Sequence, residues 1–173
     1  MAAKAHHAEA TAEARPAPKA GLVMAILFLI FFLGTSDNQM ISPLLPLIAG
    51  ELGVEVGSAG ELMGPAYALA AAAAALLIGP LSDKFGRRQF LVYASILFGV
   101  SLIAASLMKS LHAIAGVRLL TGLAAGTFST CSIAYVADYF PYARRGVAMS
   151  VVQAGYFAAL VIGVPIASVL ADR

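Results

Sequence analysis

Two residues of opposite charge, Asp37 and Arg118, lie inside long apolar stretches of the sequence. A charge inside a membrane costs a few kcal/mol or more, and intramembrane charges usually mark a path for ions or substrate. We therefore predict that Asp37 carries a proton, and both residues are candidates for lining a cavity. The alternative for Asp37 is that it only satisfies backbone groups where the TSDNQ segment, residues 35–39, loosens a helix.

The elements that position these charges are predicted from composition and length. Hydrophobic residues make up 61% of the 173-residue chain and charged residues only 12%. A soluble domain of this size cannot bury so much apolar surface, and a bilayer crossing needs ~20 apolar residues. The sequence predicts an all-α membrane protein with a membrane domain at 21–173 and five spans, at 21–48, 57–82, 89–109, 111–137 and 146–171.

The distribution of Lys and Arg predicts the orientation of the spans, because cytoplasmic loops carry an excess of both. With the amino terminus in the cytoplasm, only Lys109 and Arg173 fall outside. We expect a multi-pass protein of the plasma (inner) membrane, with residues 1–20 forming a disordered cytoplasmic tail. The cations then on the cytoplasmic side are Lys4, Arg15, Lys19, Lys84, Arg87, Arg88, Arg144 and Arg145.

Other classes of protein are disfavoured by what the sequence lacks. The net charge is only +2, Trp is absent, and no basic stripe alternates with aromatic residues, so no nucleic-acid partner is expected. Cys131 is the single cysteine, and the adjacent His6 and His7 supply too few ligands for a closed metal site. With no enzyme motif present, we predict no metal, no cofactor and no catalytic residue.

The short segment GPLSDKFGRR, residues 79–88, lies between the second and third apolar stretches. It resembles the signature loop of the major facilitator superfamily, Gly-x-Leu-x-Asp-Lys/Arg-x-Gly-Arg-Arg/Lys. The segments RLLTGLAAG (118–126), DYFPYARRG (138–146) and ISPLLPLIAGELGV (41–54) also resemble parts of that family. The positions that match the signature are Gly79, Leu81, Asp83, Lys84, Gly86, Arg87 and Arg88.

This resemblance implies a conformational latch in the signature loop. The family's aspartate at the Asp83 position braces the other half of the transporter, and its arginine at the Arg87 position pairs with an acid that here is Asp138. Such contacts hold one conformation and break in the other. A positive-inside anchor is the alternative for Lys84 and Arg88. The predicted latch comprises Gly79, Asp83, Lys84, Gly86, Arg87, Arg88 and Asp138.

The resemblance also implies a function, the transport of a small solute by alternating access, coupled to protons. The expected partners are the lipid bilayer, a small-molecule substrate and protons, and the weaker substrate-contact candidates are Gln39, Met40, Tyr67 and Tyr156. Efflux is favoured over uptake, although span five keeps only Pro165 of the exporters' Gly-Pro-x-x-Gly-Gly pattern. The rival interpretation is a non-transporting membrane scaffold or assembly subunit, with a membrane enzyme third.

An internal repeat bears on how much of a transporter this chain contains. Residues 81–84, LSDK, end span two, and residues 170–173, LADR, end span five, as expected of inverted three-span repeats. The expectation is the amino-terminal part of a major facilitator transporter, five of twelve spans, with the sixth span of its half missing. Such a chain is expected to be incapable of transport alone.

Overall fold

The computed structural model describes residues 19–171, and in that range the regular structure is entirely helical. Five helices are long and apolar enough to cross a membrane, and the fifth is continuous from Tyr142 to Val169 with a π-helical segment inside it. The predicted all-α fold with five apolar helices is confirmed. The elements are α1 (Ala20–Leu52), α2 (Val56–Phe85), α3 (Arg87–Leu107), α4 (Leu111–Tyr139), α5 (Tyr142–Ala158), the π-helical segment (Ala159–Gly163) and α6 (Val164–Ala171).

The ends of these elements follow from local chemistry. Gly53, with φ 64°, ends α1 in the left-handed region that glycine adopts without strain. The Ser110 hydroxyl caps α4 by accepting a hydrogen bond from the Ala113 N–H at 3.3 Å. Most of the predicted tail, residues 1–18, lies outside the described residues, and α1 begins at Ala20.

The segment GPLSDKFGRR is more helical than its interpretation as a connecting loop implied. Helix α2 continues to Phe85 and α3 begins at Arg87, so Gly86 is the only non-helical residue between them. Its φ of 100° is accessible to glycine but strained for other residues. The abrupt reversal at one residue places α2 and α3 antiparallel and puts the charges of both helix ends together.

Helix α1 is continuous through TSDNQ and through Pro43 and Pro46. Asp37 is therefore in regular helix, where its own backbone groups pair within the helix, and the carbonyls left free by the prolines, those of Gln39 and Ser42, are acceptors that a carboxylate cannot satisfy. The alternative interpretation, in which Asp37 serves a loosened stretch of backbone, finds no support in this geometry.

Helix α4 is the most buried helix of the bundle, with α2 and α3 packed against it. A Cβ atom added at Gly122 would overlap the Tyr67 carbonyl oxygen, and one at Gly126 would overlap that of Ala71. A similar close approach joins α5 to α1, where a Cβ at Gly155 would lie 2.7 Å from the Phe28 oxygen. Small residues at these crossings allow the backbones to touch, as in other membrane helix bundles.

The five spans run alternately between two ends of the bundle. We call one the basic end, because it carries Lys84, Arg87, Arg88, Arg144 and Arg145. The other is the acidic end, which carries Glu51, Glu55 and Glu61. Large apolar side chains between the ends point outward, including Leu76 and Leu69 at 77% and 70% exposure. This apolar exterior suits a lipid environment.

Candidate functional site

The two intramembrane charges form an ion pair at the centre of the bundle. Nη1 of Arg118 on α4 donates a hydrogen bond to Oδ2 of Asp37 on α1 at 2.5 Å. The second guanidinium nitrogen, Nη2, lies 3.5 Å from the Asp37 backbone oxygen. The side chains are only 6% and 15% exposed. The structure thus brings the two cavity candidates of the sequence, Asp37 and Arg118, into direct contact.

The surroundings of Arg118 leave part of its guanidinium unused. The Tyr67 ring lies beneath it, 5.3 Å from the guanidinium carbon, and the Thr121 hydroxyl lies 3.5 Å from Nη1. The third nitrogen, Nε, is buried and has no hydrogen-bond partner among the described residues. An arginine has five N–H donors and can bind an anion in bidentate fashion. Donor capacity therefore remains for a second acceptor.

The charge state of this pair governs its stability. Burying two charges costs several kcal/mol per ion, and their mutual attraction offsets this only while both are charged. Arg118 cannot lose its proton, whereas Asp37 can gain one. Protonation of Asp37 therefore leaves a buried cation without a counter-charge, so a second anion is then favoured beside Arg118.

A cleft of about 340 Å³ lies between α1, α2, α4 and α5; we call it the central cleft. Three of the four predicted substrate-contact residues, Gln39, Tyr67 and Tyr156, line it, and Tyr67 also stacks on Arg118. Met40 is not among its lining residues, because its side chain packs toward Gly163 of the fifth span. The other residues lining the cleft are Ile30, Phe31, Gly34, Thr35, Asn38, Ala71, Ala125, Gly126, Phe128 and Ser129.

A second cleft, of about 270 Å³, lies among α1, α3 and α4; we call it the lateral cleft. Asp37, Arg118 and Thr121 lie at its deep end, and Glu51 lies at the acidic end of the bundle. Its other lining residues are Ile41, Ile48, Leu52, Leu102, Ala105, Ser106, Met108, Ile114 and Val117. The ion pair therefore lines the lateral cleft directly, and it meets the central cleft only through Tyr67, which stacks on Arg118.

At the basic end, Arg87 joins the ends of three elements. It donates to Oδ1 of Asp83 from Nε at 2.9 Å and from Nη2 at 2.6 Å, and its Nη1 lies 2.5 Å from Oδ2 of Asp138. The same Nη1 also donates to the Ala134 carbonyl oxygen of α4. The proximity of Arg87 and Asp138 predicted from sequence is observed.

The remaining signature residues have other surroundings. The ammonium of Lys84 lies 5.5 Å from the ring centre of Phe85, and Arg88 lines a groove with Lys19. Gly79 is a helical residue of α2, and a Cβ there would meet the Thr130 methyl group at 3.7 Å. Of the predicted latch residues, the structure thus brings Asp83, Arg87 and Asp138 into mutual contact around one guanidinium.

Comparison with known proteins identifies the family. The family model described as Major Facilitator Superfamily matches residues 27–173. The chain belongs to the major facilitator superfamily. An uncharacterized MFS-type transporter, YwfA of Bacillus subtilis, is 33% identical over 147 residues, which is 85% of this chain and 35% of that protein.

Two further relatives have names that describe a substrate or a direction. The 4-hydroxybenzoate transporter PcaK of Pseudomonas aeruginosa is 27% identical over 134 residues, covering 78% of this chain and 30% of PcaK. The efflux pump dotC of Dothistroma septosporum is 28% identical over 151 residues, covering 87% of this chain and 26% of the pump. The chain spans about a quarter to a third of the length of these curated relatives.

Several residues of this major facilitator site were missed in the sequence. Thr35, Asn38 and Ser129 line the central cleft, and Thr121 lies beside Arg118. The polar residues of α1 fall on the same helix face as Phe31 and Gly34, which is a periodicity that could have revealed them. Glu51, by contrast, has the sequence context of a surface charge. Only the fold shows that it shares a cleft with Asp37.

Proposed function

We propose that the protein moves a small solute across a membrane, with Asp37 as the proton-coupling residue and Arg118 as its switchable partner. The observation that carries this proposal is the buried ion pair between α1 and α4 at 2.5 Å. A structural scaffold has no need of a charge pair that is expensive to bury. Family membership adds support, since the relatives reported above are named as transporters or pumps.

The class of solute follows from the charge that remains when Asp37 is protonated. Arg118 then needs another counter-charge, and its Nη1, which donates to Asp37 while that carboxylate is charged, becomes available to another acceptor. A carboxylate or sulfonate group satisfies a guanidinium fork in bidentate fashion. The central cleft adds aromatic walls from Phe31, Phe128 and Tyr67, which suit a flat apolar body. We infer a small organic anion, a class that includes the 4-hydroxybenzoate in the name of PcaK.

The coupling follows from competition for Arg118. The ionised Asp37 and the solute anion bind the same guanidinium, so the anion binds when Asp37 holds a proton. Proton and anion are then carried in the same direction, and the loaded and empty sites have the same net charge. Competition for Arg118 therefore favours symport of the proton and the anion. Efflux, which the resemblance in the sequence favours, gains support from the likeness to the pump dotC, and it is the second candidate for direction.

The basic end supplies the conformational part of the proposal. The Arg87 contacts with Asp83 and Asp138 join α2, α3 and α4 at one membrane surface. We propose that they form in one state of the transport cycle and separate in the other, as bistable contacts do. By the positive-inside rule this end faces the cytoplasm of the cell, with the protein in the plasma membrane.

The test measures ligand binding and solute uptake by the full protein that the gene encodes. The probes are small carboxylates and sulfonates, among them 4-hydroxybenzoate, each paired with its neutral amide analogue. We expect binding of at least one acid and none of its amide, with uptake in proteoliposomes driven by an inward proton gradient. Arg118→Gln is expected to reduce binding at least 100-fold, since a charge-assisted bidentate contact is lost.

The controls separate charge at the site from charge elsewhere. Lys109→Gln removes a cation from the loop between α3 and α4 and is expected to leave binding and uptake unchanged. Arg118→Lys keeps the charge but lacks the fork, and an intermediate affinity is expected. Equal binding of acid and amide would overturn the anion proposal. Proton-driven uptake that persists in Asp37→Asn would overturn the assignment of Asp37.

A further inference from the structure

We propose that protons reach Asp37 through the lateral cleft, from the acidic end of the bundle, while the solute occupies the central cleft. This inference rests on the proposed role of Asp37 in proton coupling. It adds a separate path for the proton and a function for Glu51, which no motif in the sequence singles out. The proton and the anion would thus approach the same ion pair from opposite sides.

The first support is the shape and lining of the lateral cleft. It extends along α1 from Asp37 to Glu51, 14 residues apart in sequence or ~21 Å at 1.5 Å per residue. Its volume of about 270 Å³ holds several water molecules. Polar groups stand at both ends, with Asp37, Arg118 and Thr121 deep inside and Glu51 near the acidic end.

The second support is the unpaired donor at the deep end. Arg118 is only 5% exposed and lines the lateral cleft, yet its Nε has no partner among the described residues. A buried polar atom of this kind is normally satisfied by ordered water. Water in the lateral cleft satisfies Nε and also connects the Asp37 carboxylate to the solution.

The third support is the way in which the two clefts divide their residues. Tyr67 lines the central cleft and stacks on Arg118, whereas Asp37 and Arg118 themselves line only the lateral one. An aromatic ring thus covers the pair on the solute side. The ionisable residues that line the lateral cleft are Asp37, Glu51 and Arg118, and α3 contributes none.

The proton transfer then balances without any cofactor. A proton from the solution passes to the Glu51 carboxylate or to water beside it, and then along water to an Asp37 oxygen. The hydrogen bond from Arg118 Nη1 to that carboxylate weakens as its negative charge is lost. The guanidinium, still positive, then lacks a counter-charge, and a shift of the Tyr67 ring that covers it opens it to the solute anion in the central cleft.

A cysteine test distinguishes a hydrated cleft from an apolar groove. Leu102 and Ile103 are neighbours on α3 at nearly the same depth, but only Leu102 lines the lateral cleft. Each is changed to Cys in a Cys131→Ala background and treated with a charged, membrane-impermeant thiol reagent added at the acidic end. We expect at least 10-fold faster labelling of Leu102→Cys than of Ile103→Cys, because thiolates form in water and not in lipid.

Blocking the lateral cleft tests its function. A bulky neutral thiol reagent on Leu102→Cys is expected to slow proton-driven uptake of the bound acid at least 10-fold. Exchange of labelled for unlabelled acid across the membrane, which needs no net proton movement, is expected to stay within 2-fold. Glu51→Gln is expected to slow proton-driven uptake several-fold, whereas Glu55→Gln, at the same end but outside the cleft, is expected to leave it unchanged.

The outcomes separate this inference from the proposed function. Equal labelling of the two cysteines, or full proton-driven uptake after blocking, would overturn the lateral path while leaving Asp37 as the coupling residue. Proton-driven uptake in Asp37→Asn would overturn the coupling role itself, and the lateral path with it. Unchanged uptake in Glu51→Gln would remove Glu51 from the path.

Discussion

The buried ion pair predicts an unequal response to removing its two charges. Asp37→Asn leaves the Arg118 guanidinium buried, charged and without a carboxylate. Breaking a buried pair in this way costs about 3–5 kcal/mol. Arg118→Gln is expected to cost less stability, because the unpaired Asp37 can take up a proton whereas an arginine cannot release one. The pair is 6% and 15% exposed, so little of this cost is relieved by solvent.

The double variant, Asp37→Asn with Arg118→Gln, removes both charges and leaves two amides that can bond to each other. We expect its stability to return to within about 1 kcal/mol of the wild type, since neutral pairs avoid the penalty of a buried charge. The coupling free energy from the cycle of four proteins is then at least about 2 kcal/mol, as expected of directly contacting residues.

Thermal unfolding of the purified protein measures this cycle. About 1 kcal/mol shifts the Tm of a domain of 150–250 residues by about 2–4 °C, so Asp37→Asn is expected to lower Tm by about 6–20 °C. Asp138→Asn makes the same chemical change at a carboxylate that is 64% exposed, and a loss of less than about 1 kcal/mol is expected. Additive losses in the double variant would refute a direct, buried interaction.

Two further predictions concern how the helices are held together. Gly126→Ala is expected to lower the free energy of unfolding by about 1–3 kcal/mol in thermal unfolding, because its Cβ would overlap the Ala71 carbonyl oxygen. Gly116→Ala, on the same helix but with open space around it, is expected to raise the free energy of unfolding by up to about 1 kcal/mol. Equal effects of the two substitutions would contradict the close α2–α4 crossing. Arg87→Gln is expected to lower Tm more than Arg88→Gln, because Arg87 contacts two carboxylates and the Ala134 carbonyl; the reverse order would exclude Arg87 as the centre of this cluster.

Much of the architecture was predictable because lipid imposes simple rules on sequence. Apolar runs of about 20 residues predict spanning helices, and the five helices fall where such runs occur. Charges inside those runs are rare, so Asp37 and Arg118 could be picked out as candidates. The helix ends were harder to predict, because α2 continues to Phe85 through residues polar enough for a loop.

The details of the site depend on rotations that sequence does not reveal. Gln39 and Met40 are adjacent in α1, but a step of 100° along the helix sends one to the central cleft and the other toward Gly163. Tyr67 could not be assigned to Arg118 without the crossing of α2 and α4, which depends on Gly122 and Gly126. Glu51 and Asp37 share a cleft only because α1 stays helical between them.

The most direct test of the central claim counts protons during ligand binding. The purified protein, in weakly buffered detergent solution, is mixed with the small organic acid that it binds, and the pH change is recorded. If the anion displaces Asp37 from Arg118, the freed Asp37 carboxylate takes up a proton. The wild type then takes up about one proton per anion bound, because each anion replaces one carboxylate at the same guanidinium. Asp37→Asn is predicted to bind the anion with no proton uptake. Equal proton uptake by Asp37→Asn would contradict the account, because the proton would then be held elsewhere.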